Sequence, residues 1–289
     1  MRTLILTGAE GFIGREILPE LQKTFNVISL TRKNFDLSSS KYWEMLEKVD
    51  TVIHLAALTS VEKSWNTPEY YIENNTSITL NVLKYCRINK VKLIFISSYM
   101  YGNSKELPVD EEQQRVANNP YALSKKIEEE IIEFYTKYYG VDAAILRLFN
   151  VYGPEQSNSF LLGQMIEQAC KEKKIVVNDI RPKRDYVHIA DVVSAIICII
   201  RPEEKFRGGV YNICSGTSFS VKTIAQKIVE NLPYAVEIIN KDIHRKNEIM
   251  DSLGSYEKIN KDYGWEPIIS IEDGIRGMLN SKVKSQDLL

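Results

Sequence analysis

Short unbroken apolar runs alternate with longer amphipathic stretches through the first 150 residues, and this alternation limits the fold more than any other feature of the chain. The run at 3–6 is continuously apolar rather than alternating, which fits a strand covered on both faces, and the runs at 27–30, 51–55, 92–97 and 143–147 read as further strands. Between the first two, Ile13, Ile17, Leu18 and Leu21 recur at helical spacing and predict a helix over 12–23. A short helix is predicted at about 40–48 and long ones at about 68–89 and 120–139. Parallel strands need crossover connections, and those crossovers cover the sheet. The pattern therefore predicts an α/β fold with a doubly wound parallel sheet. After about residue 152 the rhythm weakens and turns become frequent, at Gly153-Pro154, Arg181-Pro182, Gly208-Gly209 and Ser215-Gly216. Strands near 175–177 and 210–213, with helices near 159–173, 190–201, 220–231 and 271–280, predict a smaller mixed α/β portion packed on the first. The polar tail after about 281 is expected to be disordered.

Composition removes several function classes. Lys plus Arg (37) against Asp plus Glu (38) leaves a net charge of −1 over 289 residues, which gives no electrostatic case for nucleic acid. The longest apolar run, at 192–200, falls well short of the roughly 20 residues needed to span a bilayer. Cys86, Cys170, Cys198 and Cys214 form no C-x-x-C pair, and the three histidines are scattered at 54, 188 and 244, so neither a disulfide framework nor a metal site is expected. The first eight residues run straight into strand and turn with no signal peptide, and a reducing, cytoplasmic compartment is the expectation.

The first candidate site is the glycine turn Thr7-Gly8-Ala9-Glu10-Gly11-Phe12-Ile13-Gly14, which follows the first strand and opens the first helix. Glycines there permit a tight turn, let a diphosphate approach the backbone and allow close helix–strand contact. The helix N-terminus offers free N–H groups and the positive end of its dipole. The spacing, Gly-x-x-Gly-x-x-Gly, differs from the commoner Gly-x-Gly-x-x-Gly, and the alternative reading is a plain tight turn. Its place in a strand–helix–strand pattern favours a dinucleotide. The end of the second strand, Leu30-Thr31-Arg32-Lys33-Asn34, has no acid until Asp36. A carboxylate there would take the ribose hydroxyls of NAD, whereas a guanidinium suits the 2′-phosphate of NADP, so NADP is favoured and NAD is the alternative.

The second candidate is Asn119-Pro120-Tyr121-Ala122-Leu123-Ser124-Lys125. Asn and Pro suit the cap and first position of a helix, which places Tyr121 and Lys125 at i and i+4 on one face. An ammonium beside a phenol favours phenolate and is expected to lower the Tyr121 pKa, equipping it to exchange a proton with a hydroxyl or ketone. Ser97-Ser98 ends the fourth strand, where a parallel sheet presents its ligands. His54 and His188 read as structural. Glu128-Glu129-Glu130 and residues 171–174 read as solvated helix faces, and Trp65, Tyr70 and Tyr71 as packing residues.

Taken in order, these segments resemble the extended short-chain dehydrogenase/reductases of the NAD-dependent epimerase/dehydratase family that modify nucleotide sugars. The resemblance spans nearly the whole chain. It takes in the glycine turn, Asp36-Leu37, His54-Leu55-Ala56-Ala57, Asn74-Asn75, residues 97–102, the Tyr-x-x-x-Lys pair, residues 147–154 and residues 184–191. It implies a Rossmann-type cofactor domain over 1–152, with a return of the chain at about 186–214. A nucleotide-sugar domain would be built from 153–185 and 215–289. It implies a catalytic set of Ser97, Tyr121 and Lys125, with Ser98 as a neighbour able to substitute for Ser97. Cofactor contacts would come from Gly8, Gly11, Phe12, Ile13, Gly14, Thr31, Arg32, Asp36, Leu37, Leu55, Ala56, Ala57, Asn75, Tyr121 and Lys125. Substrate contacts would come from Ser98, Tyr99, Asn150, Arg184 and Arg245, with Asn150 and the two arginines on the diphosphate of a nucleoside-diphosphate sugar. Arg245, Glu248 and Asp251 resemble the family's late Arg-x-x-Glu segment. A homodimer through the helices at 68–89 and 120–139 is implied as well.

Within that family, dehydratases carry Asp-Glu directly after the catalytic Ser or Thr. Ser98 and Tyr99 stand there instead, which disfavours dehydration. Thr31-Arg32 departs from the acid expected of an epimerase that retains NAD, and the chain is short for one. Reduction of a 4-keto sugar nucleotide is therefore the leading expectation and 4-epimerisation the alternative. A cofactor-binding sensor without catalysis is more remote, because Ser97, Tyr121 and Lys125 are all present.

Overall fold

The computed structural model describes residues 1–201, 206–245 and 248–286. In chain order the elements are β1 (Thr3–Thr7), α1 (Phe12–Gln22), β2 (Asn26–Leu30), α2 (Ser40–Glu44), β3 (Thr51–His54), α3 (Val61–Asn66), α4 (Pro68–Asn89), β4 (Lys92–Ser98), α5 (Pro120–Tyr139), β5 (Ala143–Leu148) and β6 (Asn150–Tyr152). They continue as α6 (Leu161–Glu172), β7 (Lys174–Val177), β8 (Lys183–His188), α7 (Ile189–Ile200), β9 (Gly209–Ile213), β10 (Ser218–Ser220), α8 (Val221–Glu230), β11 (Glu237–Asn240), β12 (Asp251–Ser252), α9 (Glu257–Tyr263) and α10 (Ile271–Gln286).

Two compact units emerge. The first comprises Met1–Gly102, Glu111–Leu148 and Val193–Asn212, and the second Asn103–Asp110, Phe149–Val192 and Ile213–Leu289. The boundary inside α7 falls between Val192 and Val193.

The first unit is built on a six-stranded sheet in the order β2-β1-β3-β4-β5-β9. The pairs β1–β2, β1–β3, β3–β4 and β4–β5 are all parallel. This is the doubly wound sheet that the apolar runs predict. Leu4, Ile5, Leu6, Val52, Ile53, Leu93, Ile94 and Phe95 are fully buried, as continuous apolar strands under two helical layers must be. The order places β2 and β3 on opposite sides of β1, so the crevice at the ends of β1 and β3 is where a parallel sheet admits a ligand. The long helices α4 and α5 begin and end where their sequence signals put them. Pro68 and Pro120 occupy first positions, Asn119 accepts a hydrogen bond from the Ala122 N–H at 2.8 Å, and α5 stops at Gly140 in the left-handed region.

The second unit holds β8 between β10 (antiparallel) and β12 (parallel), with β6 also pairing parallel to β8, and a separate parallel pair β7–β11. Its core gathers Leu162, Met165 and Ile166 of α6, Ile224 and Ile228 of α8, and Ile275 and Met278 of α10 around Tyr152 and Ile175. Periodicity gave no sign of α3, β6, β8, β10, β11, β12 or α9, all short and several half-buried. The expectation of a disordered tail after 281 is corrected as far as Gln286. No helix breaker follows Leu279, α10 runs on, and Lys282 on it reaches the Glu167 carboxylate at 2.8 Å and Asn158 at 3.3 Å. Residues 287–289 lie outside the described residues. Among the described residues no helix is long and apolar enough to cross a membrane.

One side chain ties this unit together. The Asp185 carboxylate, fully buried in β8, accepts from Ser215 N (2.7 Å), Ser215 Oγ (2.7 Å), Gly216 N (3.0 Å) and Gly254 N (3.2 Å). Burial pushes its pKa up to about 6 while these donors pull it back. Removing it leaves three backbone donors without their acceptor. Asp185→Ala is expected to destabilise the fold by about 3 kcal/mol, read as a lower urea midpoint, with Asp185→Asn recovering part of the loss. An unchanged midpoint would show that water replaces the carboxylate at no cost.

Candidate active site

The glycine turn closes directly on the end of β3. Gly8 has φ +71°, and a Cβ there would meet Ala56 N at 2.8 Å and Leu55 C at 3.0 Å. A Cβ on Gly14 would run into Ala9 at 2.7 Å and the Gly8 carbonyl. Backbone and helix thus form a cradle that any side chain would fill. The first turn of α1 is capped by no side chain, since Gly11 has none, so its N–H groups face outward from the helix end. A cradle of bare backbone N–H at a helix N-terminus fits a dinucleotide diphosphate. The Thr7 hydroxyl accepts from Ala56 N at 3.2 Å and holds the two strand ends together.

After β2 the chain turns on Asn34, whose Oδ1 accepts from Thr31 N (2.7 Å) and Thr31 Oγ1 (3.2 Å) and whose Nδ2 donates to the Ser29 carbonyl (3.0 Å). Arg32 is exposed, and no other described residue forms a hydrogen bond or ion pair with its guanidinium. Lys33 pairs with Glu10 of the glycine turn at 2.9 Å on the surface. Asp36 accepts from Ser38 N (3.0 Å) and Ser38 Oγ (2.6 Å), and these bonds lower its pKa. Its Oδ1 takes both of these bonds, and the next residue, Leu37, is buried.

Asn75 is buried on α4 and fully engaged. It accepts from Leu58 N (2.8 Å) and donates to Leu58 O (3.1 Å) and Ser124 Oγ (3.0 Å). It fixes the segment after β3, which includes half-buried Leu55, Ala56 and Ala57, against both α4 and α5.

Tyr121 lies half-buried one residue into α5, and Ser98 rather than Ser97 is the β4 serine that acts on its phenol, favouring the ionised form. The Ser97 hydroxyl is buried with no hydrogen-bond partner among the described residues. Lys125 is 2 % exposed, with Nζ 3.2 Å from Glu128 Oε2 and 4.5 Å from the centre of the Phe95 ring. The expectation of a lowered Tyr121 pKa is overturned. Burial, then the Glu128 carboxylate, then Tyr71 push it above the ordinary value of 10, and only the Ser98 bond opposes them. Sequence reading misplaced Glu128 and Glu129 as solvated; both are completely buried, and only Glu130 of that run is exposed. Their signal was present in the helical spacing, since Tyr121, Lys125 and Glu128 fall on one face. Trp65 and Tyr70 prove exposed, while Tyr71 packs.

In the second unit, Asn150 donates to the Asp185 carbonyl at 3.0 Å. Arg184 donates to Ile249 O (2.6 Å) and Lys183 O (2.8 Å) and forms an ion pair with Glu248. Arg245 is exposed, and residues 246 and 247, which separate it from Glu248, lie outside the described residues. Tyr99, at the end of β4 in the first unit, is half-buried, with its N–H on Leu148 O at 3.0 Å.

A twisted parallel sheet with a glycine cradle at its switch point and a Tyr–Lys pair on a neighbouring helix defines a nucleotide-dependent oxidoreductase fold. Comparison with known proteins makes this specific. Residues 4–214 match the NAD dependent epimerase/dehydratase family. The chain is 28% identical to the GDP-6-deoxy-D-mannose reductase of Pseudomonas aeruginosa, over 96% of each protein. The structure of RMD from Pseudomonas aeruginosa complexed with NADPH superposes with a TM-score of 0.89 at 28% identity, covering 99% of this chain and 100% of that one. The structure of UDP-glucose 4-epimerase with UDP-glucose from Thermotoga maritima superposes with a TM-score of 0.91 at 27% identity, covering 98% and 99%. The chain belongs to the NAD dependent epimerase/dehydratase family and is an NAD(P)-dependent enzyme. The expectation that it is short for an epimerase does not hold, because it covers one from end to end.

The cradle gives a direct test. Gly8→Ala places a methyl 2.8 Å from Ala56 N at a left-handed backbone position. Dinucleotide affinity, measured by calorimetric titration, is expected to fall by about tenfold or more. Unchanged affinity would place the diphosphate elsewhere.

Proposed function

We propose that this enzyme reduces a 4-keto group on a nucleoside-diphosphate sugar, with NADPH as the favoured cofactor and Tyr121 as the proton donor. The observation that carries the reading is the Arg32 guanidinium at the end of β2, exposed and without a partner among the described residues, where an epimerase that retains NAD would carry a carboxylate. Burial, and after it the Glu128 carboxylate, raise the Tyr121 pKa, which is consistent with a phenol that gives its proton to a carbonyl oxygen. The exposed guanidinium of Arg32, where a ribose-binding carboxylate would select NAD, supports NADPH. The relationship to a GDP-6-deoxy-D-mannose reductase and to a structure complexed with NADPH points the same way. Similarity to a UDP-glucose 4-epimerase supports the second reading, 4-epimerisation.

In this reading the glycine cradle with Phe12 and Ile13 holds the diphosphate. Thr31 and Arg32 take the adenosine side, with Asp36 and Leu37 beside the adenine and Leu55 to Ala57 lining the β3 end. The bound dinucleotide supplies the hydride that the carbonyl carbon accepts. Tyr121 gives its hydroxyl proton to the carbonyl oxygen and becomes phenolate, which the Lys125 ammonium stabilises. Ser97 and Ser98 end β4 at the same place. The unpartnered Ser97 hydroxyl suits a substrate oxygen, while Ser98 aligns the phenol. Asn150, Arg184 and Arg245 are assigned to the substrate diphosphate, Arg184 being paired with Glu248, and Tyr99 to the sugar.

Purified enzyme is expected to oxidise NADPH when given a nucleotide-linked 4-keto-6-deoxy sugar, and Tyr121→Phe to lose at least about a hundredfold in kcat while binding cofactor normally. Epimerisation of a plain UDP- or dTDP-hexose without added cofactor, with no ketosugar reduced, would replace this reading with the second.

A homodimer through α4 and α5 is the associated proposal. Leu80 and Ile88 on α4 and Phe134, Tyr138 and Tyr139 on α5 are all exposed, and the Phe134 and Tyr138 rings pack tilted with centroids 4.7 Å apart. Such apolar clustering on adjoining helices fits an interface. Light scattering should give twice the 33.2 kDa chain mass, and Phe134→Glu with Tyr138→Glu should give the monomer. A native monomer at all concentrations would remove the proposal.

A further inference from the structure

One surface ion pair joins the glycine turn to the turn after β2. Lys33 Nζ lies 2.9 Å from Glu10 Oε1, and the two side chains are 82% and 50% exposed. Arg32, the neighbour of Lys33, is exposed and has no partner among the described residues. The backbone that carries both cations is held in place. Asn34 Oδ1 accepts from Thr31 N at 2.7 Å and Thr31 Oγ1 at 3.2 Å, and Asn34 Nδ2 donates to the Ser29 carbonyl at 3.0 Å. The N–H groups of Asn34 and Phe35 close the turn on Thr31 O at 3.1 and 2.9 Å. Selection at the β2 end is thereby left to the side chains. An open groove of about 470 Å³ runs beside the pair, lined in part by Arg15, Pro19 and Lys33, so the lysine has room to change partners without moving backbone.

NADP and NAD differ by one group, the phosphate on the adenosine ribose, which carries a charge of about −1.5 to −2 near pH 7. A guanidinium at the end of the second strand suits that phosphate, and Arg32 is free to meet it. Lys33 is the next cation in the chain, but its charge is already matched by Glu10. An exposed pair of this kind is weak, worth up to about fivefold in an equilibrium, so it gives way to a phosphate dianion. Once it gives way, the Glu10 carboxylate is left without its cation, within reach of the same ammonium as the new anion. NAD brings no such charge and leaves the pair as it stands.

We propose that Glu10 is a specificity-determining residue for the cofactor: by holding Lys33 it lowers the preference for NADP over NAD that Arg32 creates. The proposal deepens the assignment of NADPH and rests on the reading of the β2 end as the seat of the adenosine ribose. In the free enzyme, and in the enzyme with NAD, Lys33 stays on Glu10. With NADP, Lys33 exchanges that carboxylate for the 2′-phosphate, and the unpaired carboxylate opposes the phosphate charge. Arg32 and Lys33 therefore contribute unequally although they are adjacent: the first arrives without a partner, and the second must first leave one.

The test is calorimetric titration of NADP⁺ and NAD⁺ into the wild type and into Glu10→Gln, which keeps the shape and removes the charge. The two dinucleotides share every contact except those of the 2′-phosphate, so the ratio of their affinities isolates it. Glu10→Gln is expected to bind NADP⁺ about threefold more tightly with NAD⁺ affinity unchanged. The gain should be larger at about 0.02 M salt than at about 0.5 M, since screening weakens exposed charges. Lys33→Met is expected to bind NADP⁺ about threefold more weakly and NAD⁺ as before. A role for Glu10 in shaping the glycine turn would instead move both affinities together and leave their ratio in place, which overturns the proposal. A ratio that falls in Glu10→Gln, or that Lys33→Met leaves unmoved, overturns it too. If the wild type prefers NAD⁺ and Glu10→Gln still raises the relative affinity for NADP⁺, the NADPH reading falls while the role of Glu10 stands. If the wild type prefers NADP⁺ and Glu10→Gln leaves the ratio unmoved, the NADPH reading stands and the proposal falls.

Discussion

The rotation of α5 about its own axis is fixed by one buried ion pair, and the candidate site depends on that rotation. Glu129 has no solvent exposure and receives Arg147 Nη2 at 2.8 Å and Nε at 3.1 Å, together with Arg115 Nη1 at 3.0 Å. Arg147 also donates to Tyr101 Oη (2.8 Å) and to the Glu111 carbonyl (3.0 Å), and Tyr101 donates to Asn212 Oδ1 (2.6 Å). Helix α5 is thereby pinned to β5, to the segment at 111–115 and to β9. Taking one member from such a pair strands a buried charge, which typically costs about 3–5 kcal/mol. With Glu129 held against the sheet, Glu128 must point a third of a turn away, toward α4 and the end of β3, and Tyr121 and Lys125 follow on the same face.

Most of the first unit was legible because its strands are continuously apolar and its helices carry strong terminal signals. Asn119-Pro120 at one end and Gly140 at the other bracket α5, and each signal acts locally without help from distant residues. The second unit was legible where amphipathic helices packed, as at α6 and α8, and at the short apolar strand β7. Strand β8 is spelled Lys-Arg-Asp-Tyr-Val-His, a sequence with no strand-like alternation, and its course is set by the acceptors that Asp185 offers to residues about 30 and 70 positions away. A bond of that span leaves no mark in a local window.

The site was partly legible for the same reason. The glycine turn and the Tyr121–Lys125 spacing are local and could be read directly. The run Glu128-Glu129-Glu130 could not be resolved by charge alone, because three adjacent carboxylates look alike until the helix is wrapped. Two then face basic partners indoors and one faces water. The sign of the Tyr121 shift failed with it: the ammonium was visible in the sequence, but the burial of the phenol and the buried carboxylate of Glu128, which raise its pKa, were not. Serine choice behaves similarly. Ser97 and Ser98 point to opposite sides of β4, so only the strand's register decides which hydroxyl is buried.

Asn75 uses both of its donors and its acceptor on Leu58 and Ser124, so the stretch from Leu55 to Leu58 is already ordered before any ligand arrives. A ligand seated there loses little to the ordering of protein backbone, a cost of roughly 1–2 kcal/mol for each residue otherwise free. A ligand bound at that edge of the sheet would meet a surface already fixed rather than one it must first order. The heat-capacity change on binding should report buried area alone, with no contribution from coupled folding.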